Sequence, residues 1–464
     1  MIDPVSLGIV ATIGLVGLGV QRAVAAARGR AWKHAAELAQ LTEVQVKKTA
    51  GLVTRVSGKA GELSARIESF AHGKHSRGTR VVVSGLGHGK DELAIRREGL
   101  GTALGKAIGR GEMELGDALF DQAVYLQGSP ELAAAVLDAE TRECLRHLMW
   151  GRYYSPSERM VDLGGGTRAW LADGELCLEL GRSEQAILGL PALLAIAERL
   201  KRPADLGARL AENLIREAHP GARLSVVKAL LAGHHKHPMA RPALLKAARE
   251  DTSTEVRLRA ALALGTEGWD TLTQIAFDKN AGDDECARAV AGLGWQLTME
   301  RAQALMESSL RAGRLETAAA CVANLGTRRG PEVAAILTRV LQQQESTLGV
   351  AAVRGLAQTR EDTVEPVLID ALQAALAEVR LAAAEALGRV GTVAAVMPLR
   401  QASEREGAGE LHGVARQAIA SIHTRVKGAA PGQLSLAGGE LGQVSLVEGD
   451  EARGRLTAPE GGEP

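Results

Sequence analysis

The sequence predicts a mainly α protein: a C-terminal α-solenoid of helical hairpins, preceded by an N-terminal apolar helix and a small α+β domain. Three observations predict it. Glu255–Gly265 (EVRLRAALALG) returns as Glu378–Gly388 (EVRLAAAEALG), a small-residue helix that ends at Gly. Aligned on Leu230, Leu264, Leu293, Leu325, Leu356, Leu387 and Ile419, the hairpins repeat at steps of 34, 29, 32, 31, 31 and 32. A period near 30 in Ala- and Leu-rich helices marks stacked hairpins, each burying an apolar face against the next. Aromatic residues are only 2% of the 464, which suits helices packed at close range rather than sandwich cores.

Charge narrows the function. Lys+Arg and Asp+Glu are both 55, and this balance argues against bulk nucleic-acid binding, which needs an excess of cations to displace phosphate counterions. The balance is uneven along the chain. Between Arg22 and Arg110 there are 17 Lys or Arg against 7 Asp or Glu, a net of +10, whereas Gly428–Pro464 has six acids and two bases. The four cysteines, Cys144, Cys177, Cys286 and Cys321, form no CxxC pair, so reduced thiols in a reducing compartment are expected.

Taken in order, Pro4–Val20 carries no charge, and as a helix its 17 residues would span roughly 25 Å against a hydrocarbon core of about 30 Å. Arg22, Arg28, Arg30 and Lys33 follow it, so the positive-inside rule places the rest of the chain in the cytoplasm. Residues 1–27 are therefore expected to be a single-pass anchor in the inner or plasma membrane. The competing readings are a signal peptide cut near Ala23-Val24-Ala25, against which the basic leading segment is missing, and a buried or interfacial Gly-rich helix. Residues 28–79 read as a basic juxtamembrane helix and linker. Apolar spacings of seven, four and three within Ala35–Phe70 resemble a short heptad seam, which admits a weak homodimer, although Gly51, Gly58 and Gly61 weaken the helix.

Residues 80–182 read as the α+β domain. Strands are expected at Arg80–Ser84, Leu93–Arg97, Ala123–Gln127, Arg168–Leu171 and Leu176–Glu179, with helices at Leu132–Leu137 and Thr141–Met149. Asp173-Gly174 between two apolar runs is a hairpin signal. Leu115–Phe120 with Asp121 and Val124–Gly128 resembles a globular module of membrane-tethered bacterial proteins of unknown function. Residues 186–427 form the predicted solenoid. Gly265, Gly294, Gly326 and Gly388, each just after an anchor Leu, are expected as helix C-caps with positive φ. Residues 428–464, rich in Gly, Pro and Glu, are expected to be a disordered acidic tail, with short β segments at Gln433–Leu436 and Gln443–Val447.

Val379-Arg380, Ala382–Gly388, Gly391 and Ala394–Leu399 resemble the short HEAT-like repeat of the phycobilisome-lyase type, and Val256–Gly265 resembles its second-helix half. Arg223, Arg257 and Arg380 each stand seven before their anchor Leu. The resemblance implies that this basic position forms an inter-repeat ladder, interrupted where Cys286, Ala318 and Gly349 occupy it.

Candidate chemistry is sparse. Val81–Lys90 (VVVSGLGHGK) has a strand followed by glycines and Lys, but a P-loop needs Gly where Ser84 stands and Ser or Thr where Asp91 stands. His234, His235 and His237 cluster in a turn without the rigid supports of a built metal site. Asp283-Asp284-Glu285 opens a helix, where acids favour the macrodipole. No catalytic, cofactor or metal residues are expected. The expected function is a non-catalytic membrane-tethered scaffold that binds protein partners through second-helix residues, with Arg257, Arg259, Arg288, Arg354, Arg380 and Arg389 as candidate contacts. The alternatives are a sensor whose α+β domain binds a small ligand and, as the resemblance allows, a bilin-lyase-like enzyme.

Overall fold

The computed structural model describes the chain except residues 1–3, 73–75, 99–112, 155–159, 165–166, 344–346, 360, 362, 406–408, 426–434, 437–443 and 446–464, and except the side chains of residues 4–19, 21, 71–77 and a few others at element ends. Two compact units divide at Leu264/Gly265.

The first unit is built on an antiparallel eight-stranded sheet. Helix α1 (Pro4–Leu38) leads into β1 (Thr42–Thr49), β2 (Leu52–Ala60), β3 (Leu63–His72), β4 (Ser76–Ser84), β5 (Leu93–Arg97), β6 (Val124–Gly128), the small hairpin β7 (Arg152–Tyr154) and β8 (Met160–Asp162), then β9 (Arg168–Ala172) and β10 (Glu175–Leu180). The order across the large sheet is β1-β2-β3-β4-β10-β9-β5-β6. Between β6 and β7 lie α2 (Pro130–Val136) and α3 (Ala139–Met149), and α4 (Ala186–Leu200) follows β10. One sheet face packs with α1 and α4 in a continuous core that includes Trp32, Ala35, Val56, Ile67, Val81, Leu178 and Leu193. Trp32 is fully buried, and its indole N–H donates to Thr79 Oγ1 on β4 at 3.3 Å.

The helix and heptad seam expected over Ala35–Phe70 are corrected: the helix ends at Leu38 and three strands follow. On the third of them Leu63, Ala65 and Ile67 are buried while Ser64, Arg66 and Glu68 between them are not, as in a strand with one buried face. The glycines that weakened the helix reading make the turns, since Gly51 and Gly61 have φ of 76° and 60°. The proposed seam therefore has no helix to form it. The small α+β domain is accordingly larger than residues 80–182, because β1, β2 and β3 belong to its sheet. At its other end α4, assigned from sequence to the repeats, packs on the sheet. The Asp-Gly hairpin forms at Asp173 and Gly174, with φ of 52° and 73°.

The second sheet face is polar, and its cations and anions pair across strands. Arg66 makes a two-pronged bond to Glu175, both at 2.8 Å; Arg55 pairs with Glu68 at 2.6 Å and Arg80 with Glu179 at 2.6 Å. Such opposite-charge neighbours support sheet pairing and register.

After α4 the first unit continues with α5 (Leu206–Arg216), α6 (Pro220–Gly233), α7 (Ala240–Glu250) and α8 (Thr254–Leu264). The second unit is helical hairpins: α9 (Trp269–Phe277) with α10 (Asp283–Leu293), α11 (Met299–Arg311) with α12 (Leu315–Gly326), α13 (Pro331–Gln343) with α14 (Thr347–Thr359), α15 (Val364–Ala371) with α16 (Ala377–Val390), and α17 (Val396–Arg405) with α18 (Glu410–Arg425). The second helices α10, α12, α14, α16 and α18 pack each on the next. Their anchors Leu293, Leu325, Leu356 and Leu387 are buried.

Among the described residues no helix is long and apolar enough to cross a membrane. The side chains of the run Pro4–Val20, apart from Val20, lie outside the described residues. Most of the acidic tail also lies outside them; Ser435–Leu436 pairs antiparallel with Val444–Ser445, within the two expected β segments.

Candidate functional site

The arginines seven before the anchors bond carbonyls within the chain. Arg223, Arg257 and Arg380 close the C-terminal ends of α5, α7 and α15, where carbonyls lack helical partners and the macrodipole favours a cation. Arg223 on α6 donates to Glu217 O at 3.1 Å and Ala218 O at 2.8 Å, just past α5, while its Nε and Nη2 hold Asp251 at 2.7 and 2.8 Å. Arg257 donates to Asp251 O at 2.8 Å past α7, and Arg380 to Ala374 O and Ala375 O at 2.8 and 2.7 Å past α15. Where Cys286 interrupts the series, its thiol donates to Ile275 O at 3.3 Å, and Arg314 from the next hairpin supplies the guanidinium, donating to Asp278 O at 3.0 Å and to Lys279 O. At this one of the three interruptions the cation is supplied by a residue the sequence reading did not single out.

The acidic run finds a similar use. Asp283 on α10 accepts from the backbone N–H groups of Glu316 and Thr317 at 3.0 and 2.9 Å and from the Thr317 hydroxyl at 2.6 Å. It thereby caps α12 of the neighbouring hairpin. Burial raises its carboxyl, but the Thr317 hydroxyl and the two N–H donors outweigh that and hold it below its ordinary value.

Of the other candidate contacts, Arg259 pairs with Glu255 at 3.1 Å and Arg288 with Asp284 at 2.8 Å, each one helical turn away. Arg354 and Arg389 differ. Both are exposed on second helices, and neither makes an ion pair among the described residues. Arg354 is two before its anchor and Arg389 two after its own. The residues two before the anchors on the other second helices of this unit, Ala291, Ala323, Glu385 and Gln417, are exposed as well. So are those two after: Trp295, Thr327, Gln358 and Ser421. Positions i and i+4 share a helix face, so α14, α16 and α18 carry an outward strip of polar residues, with Ala291 and Ala323 at the same position on α10 and α12. Two after the α10 anchor stands Trp295, 75% exposed and edge-on to Trp269 with ring centroids 5.8 Å apart.

The motifs set aside from sequence have structural uses. The loop after β4 is tied down: His88 Nε2 lies 2.7 Å from Leu200 O, and the Gly89 N–H donates to the Glu92 carboxylate at 2.6 Å. Arg202 also bonds Glu92. A carboxylate of the chain itself thus holds the Gly89 N–H and Arg202. His237 Nε2 is 3.1 Å from Asp205 Oδ2. Among the described residues no group of three or more His, Cys, Asp or Glu is placed to hold a metal ion.

Residues 348–420, from α14 into α18, match the family model of HEAT repeats. Among curated proteins no sequence matches. Among solved structures the chain is similar to an engineered protein, with TM-score 0.31, 16% identity, and 52% of this chain and 75% of that one covered. It is also similar to human deoxyhypusine hydroxylase in complex with glycerol, with TM-score 0.21, 16% identity, and 47% and 96% covered. At these scores neither likeness carries an argument about activity.

Proposed function

We propose that the chain is a non-catalytic scaffold that binds protein partners along the outward strip of its second helices. The observation that carries this reading is the HEAT-repeat match at residues 348–420, because repeats of this kind present extended surfaces to other proteins. Arg354, Gln358, Glu385 and Arg389, the strip's charged and amide residues on α14 and α16, fall inside the match. In this reading the hairpins continue as an α-solenoid, and the apolar run at residues 4–20 tethers the chain to the inner or plasma membrane, with the bulk of it cytoplasmic. The charge-free character of that run and the basic residues after it support the tether.

The test is site-specific photo-crosslinking in cells. A crosslinker at Gln358 or Arg389 is expected to capture the same protein, and one at Arg400, exposed on the first helix α17, is not. The double charge reversal Arg354→Glu with Arg389→Glu is expected to reduce that capture about tenfold, as reversing rim charges slows association. Absence of a reproducible product from Gln358 and Arg389, or equal capture from Arg400, would remove the reading.

A further inference from the structure

A cleft of about 460 Å³ opens at the end of the β5–β9 pair, lined by Arg96, Arg97, Arg168, Trp170, Met149 and Thr167. The sheet's pairing puts these groups together. Arg96 lies across from Trp170 on β9 and from Tyr125 on β6. Arg97, next along β5, stands over the Trp150 ring at 3.6 Å from its centroid. All three arginines are exposed, and none makes an ion pair among the described residues. Elsewhere on this sheet Arg55, Arg66 and Arg80 each pair with a glutamate. Glu179 lies across from Arg168 in the β9–β10 register, yet its carboxylate accepts from Arg80 at 3.2 and 2.6 Å. The cleft therefore has Arg96 and Arg168 on the Trp170 face of the sheet without a counter-charge, and Arg97, the next residue on β5, at its edge.

We propose that this cleft is a binding site for a phosphate-bearing anion, the phosphate held by Arg96 and Arg168 and the organic part against Trp170. Guanidinium forks match tetrahedral oxyanions in two-pronged fashion. Two of them fit a group with several oxygens and two charges better than a single carboxylate, whose two oxygens one fork would saturate. The volume falls within the range of small-molecule sites. The cleft lies in the first unit, so this proposal stands apart from the repeat strip.

The experiment is calorimetric titration of the full chain at matched ionic strength with inorganic pyrophosphate, phosphate and succinate. Saturable binding is expected in the order pyrophosphate, phosphate, succinate. Arg96→Ala and Arg168→Ala are each expected to weaken pyrophosphate roughly tenfold or more, from the loss of charge-assisted hydrogen bonds. Arg400→Ala should leave it unchanged, and Arg96→Lys should recover part of the loss. Retention of the wild-type melting temperature checks that the variants fold. No saturable heat below about 10 mM, equal binding by the alanine variants, or succinate binding as tightly as pyrophosphate would each overturn the proposal. A second arm compares ADP with vesicles containing a phosphoinositide. An Arg96-dependent signal from ADP assigns a soluble ligand, and one from vesicles assigns a lipid headgroup. Binding of neither overturns the proposal.

Discussion

Arg142 is 2% exposed and lies between two carboxylates. Its Nε donates to Asp117 at 2.9 Å, and its Nη1 and Nη2 donate to Glu217 at 2.9 Å each. The group joins α3, the turn before Phe120 and the end of α5, so it ties the sheet's helices to the hairpins that follow within the first unit. Replacing Arg142 with Met strands two carboxylates, and breaking a buried pair from one side costs about 3–5 kcal/mol. The measurement is the denaturant midpoint of the first unit's transition. The pH dependence has a definite sign. Burial raises the Glu217 carboxyl, but the Arg142 hydrogen bonds and the His219 N–H hold it below its ordinary value on balance. Asp117 is lowered against its burial in the same way by Arg142. Their contribution is present above the unfolded carboxylate range of about 4 and is lost as pH falls through the folded values. Wild-type stability should therefore drop on acidification, and the gap to Arg142→Met should narrow. A gap independent of pH would refute this account. At this scale the sequence was a partial guide. The spacing of Arg223, Arg257 and Arg380 was visible, but their use as caps was not, because their acceptors are carbonyls. Arg314 substitutes across hairpins, and no local pattern marks that.

At the scale of elements, two kinds of glycine must be separated. Gly265 and Gly294 have positive φ of 58° and 51°, as expected of helix ends. Gly326 and Gly388 do not; they stay inside α12 and α16 and permit close approach. A Cβ at Gly326 would sit 2.4 Å from Gly355 Cα on α14, and one at Gly388 would sit 3.0 Å from Ala418 Cα on α18. Gly326→Ala is expected to destabilise the second unit by about 1–3 kcal/mol through overpacking, read as a fall in its melting temperature. An unchanged melting temperature would mean the second helices are not in firm contact there. Asp283→Ala removes the cap on α12 and is expected to cost about 0.5–2 kcal/mol, with Asp283→Asn retaining most of it. The later strands of the large sheet, β4, β5, β6, β9 and β10, were legible because turn residues bracket short apolar runs, whereas the small hairpin β7–β8 was not. The first three strands were not. Their apolar residues coincide with helical spacing, and the deciding signal was the turn glycines at Gly51 and Gly61.

For the whole molecule, the repeat period identified the helical hairpins but not the division at Leu264/Gly265, which falls inside a run of similar helices and has no linker composition to announce it. The first helix poses the remaining question. It covers 35 residues, or about 52 Å at 1.5 Å per residue. Its later turns are fixed in the first unit's core through Trp32, Ala35 and Ala36, while Val20 and Val24 are exposed. A single helix thus joins the charge-free run to a folded core. If that run enters a bilayer, the core is held close to the surface by a stiff connection, with the exposed Arg22 and Arg30 at the interface, where each base adds about 1 kcal/mol on anionic lipid. The full chain is then expected to float with liposomes and to resist release by salt. A chain lacking residues 1–20 should stay in solution with its core intact, because Trp32 and its bond to Thr79 are retained. Sedimentation of the full chain as a soluble protein without detergent, indistinguishable from the shortened one, would show that the run packs on protein instead.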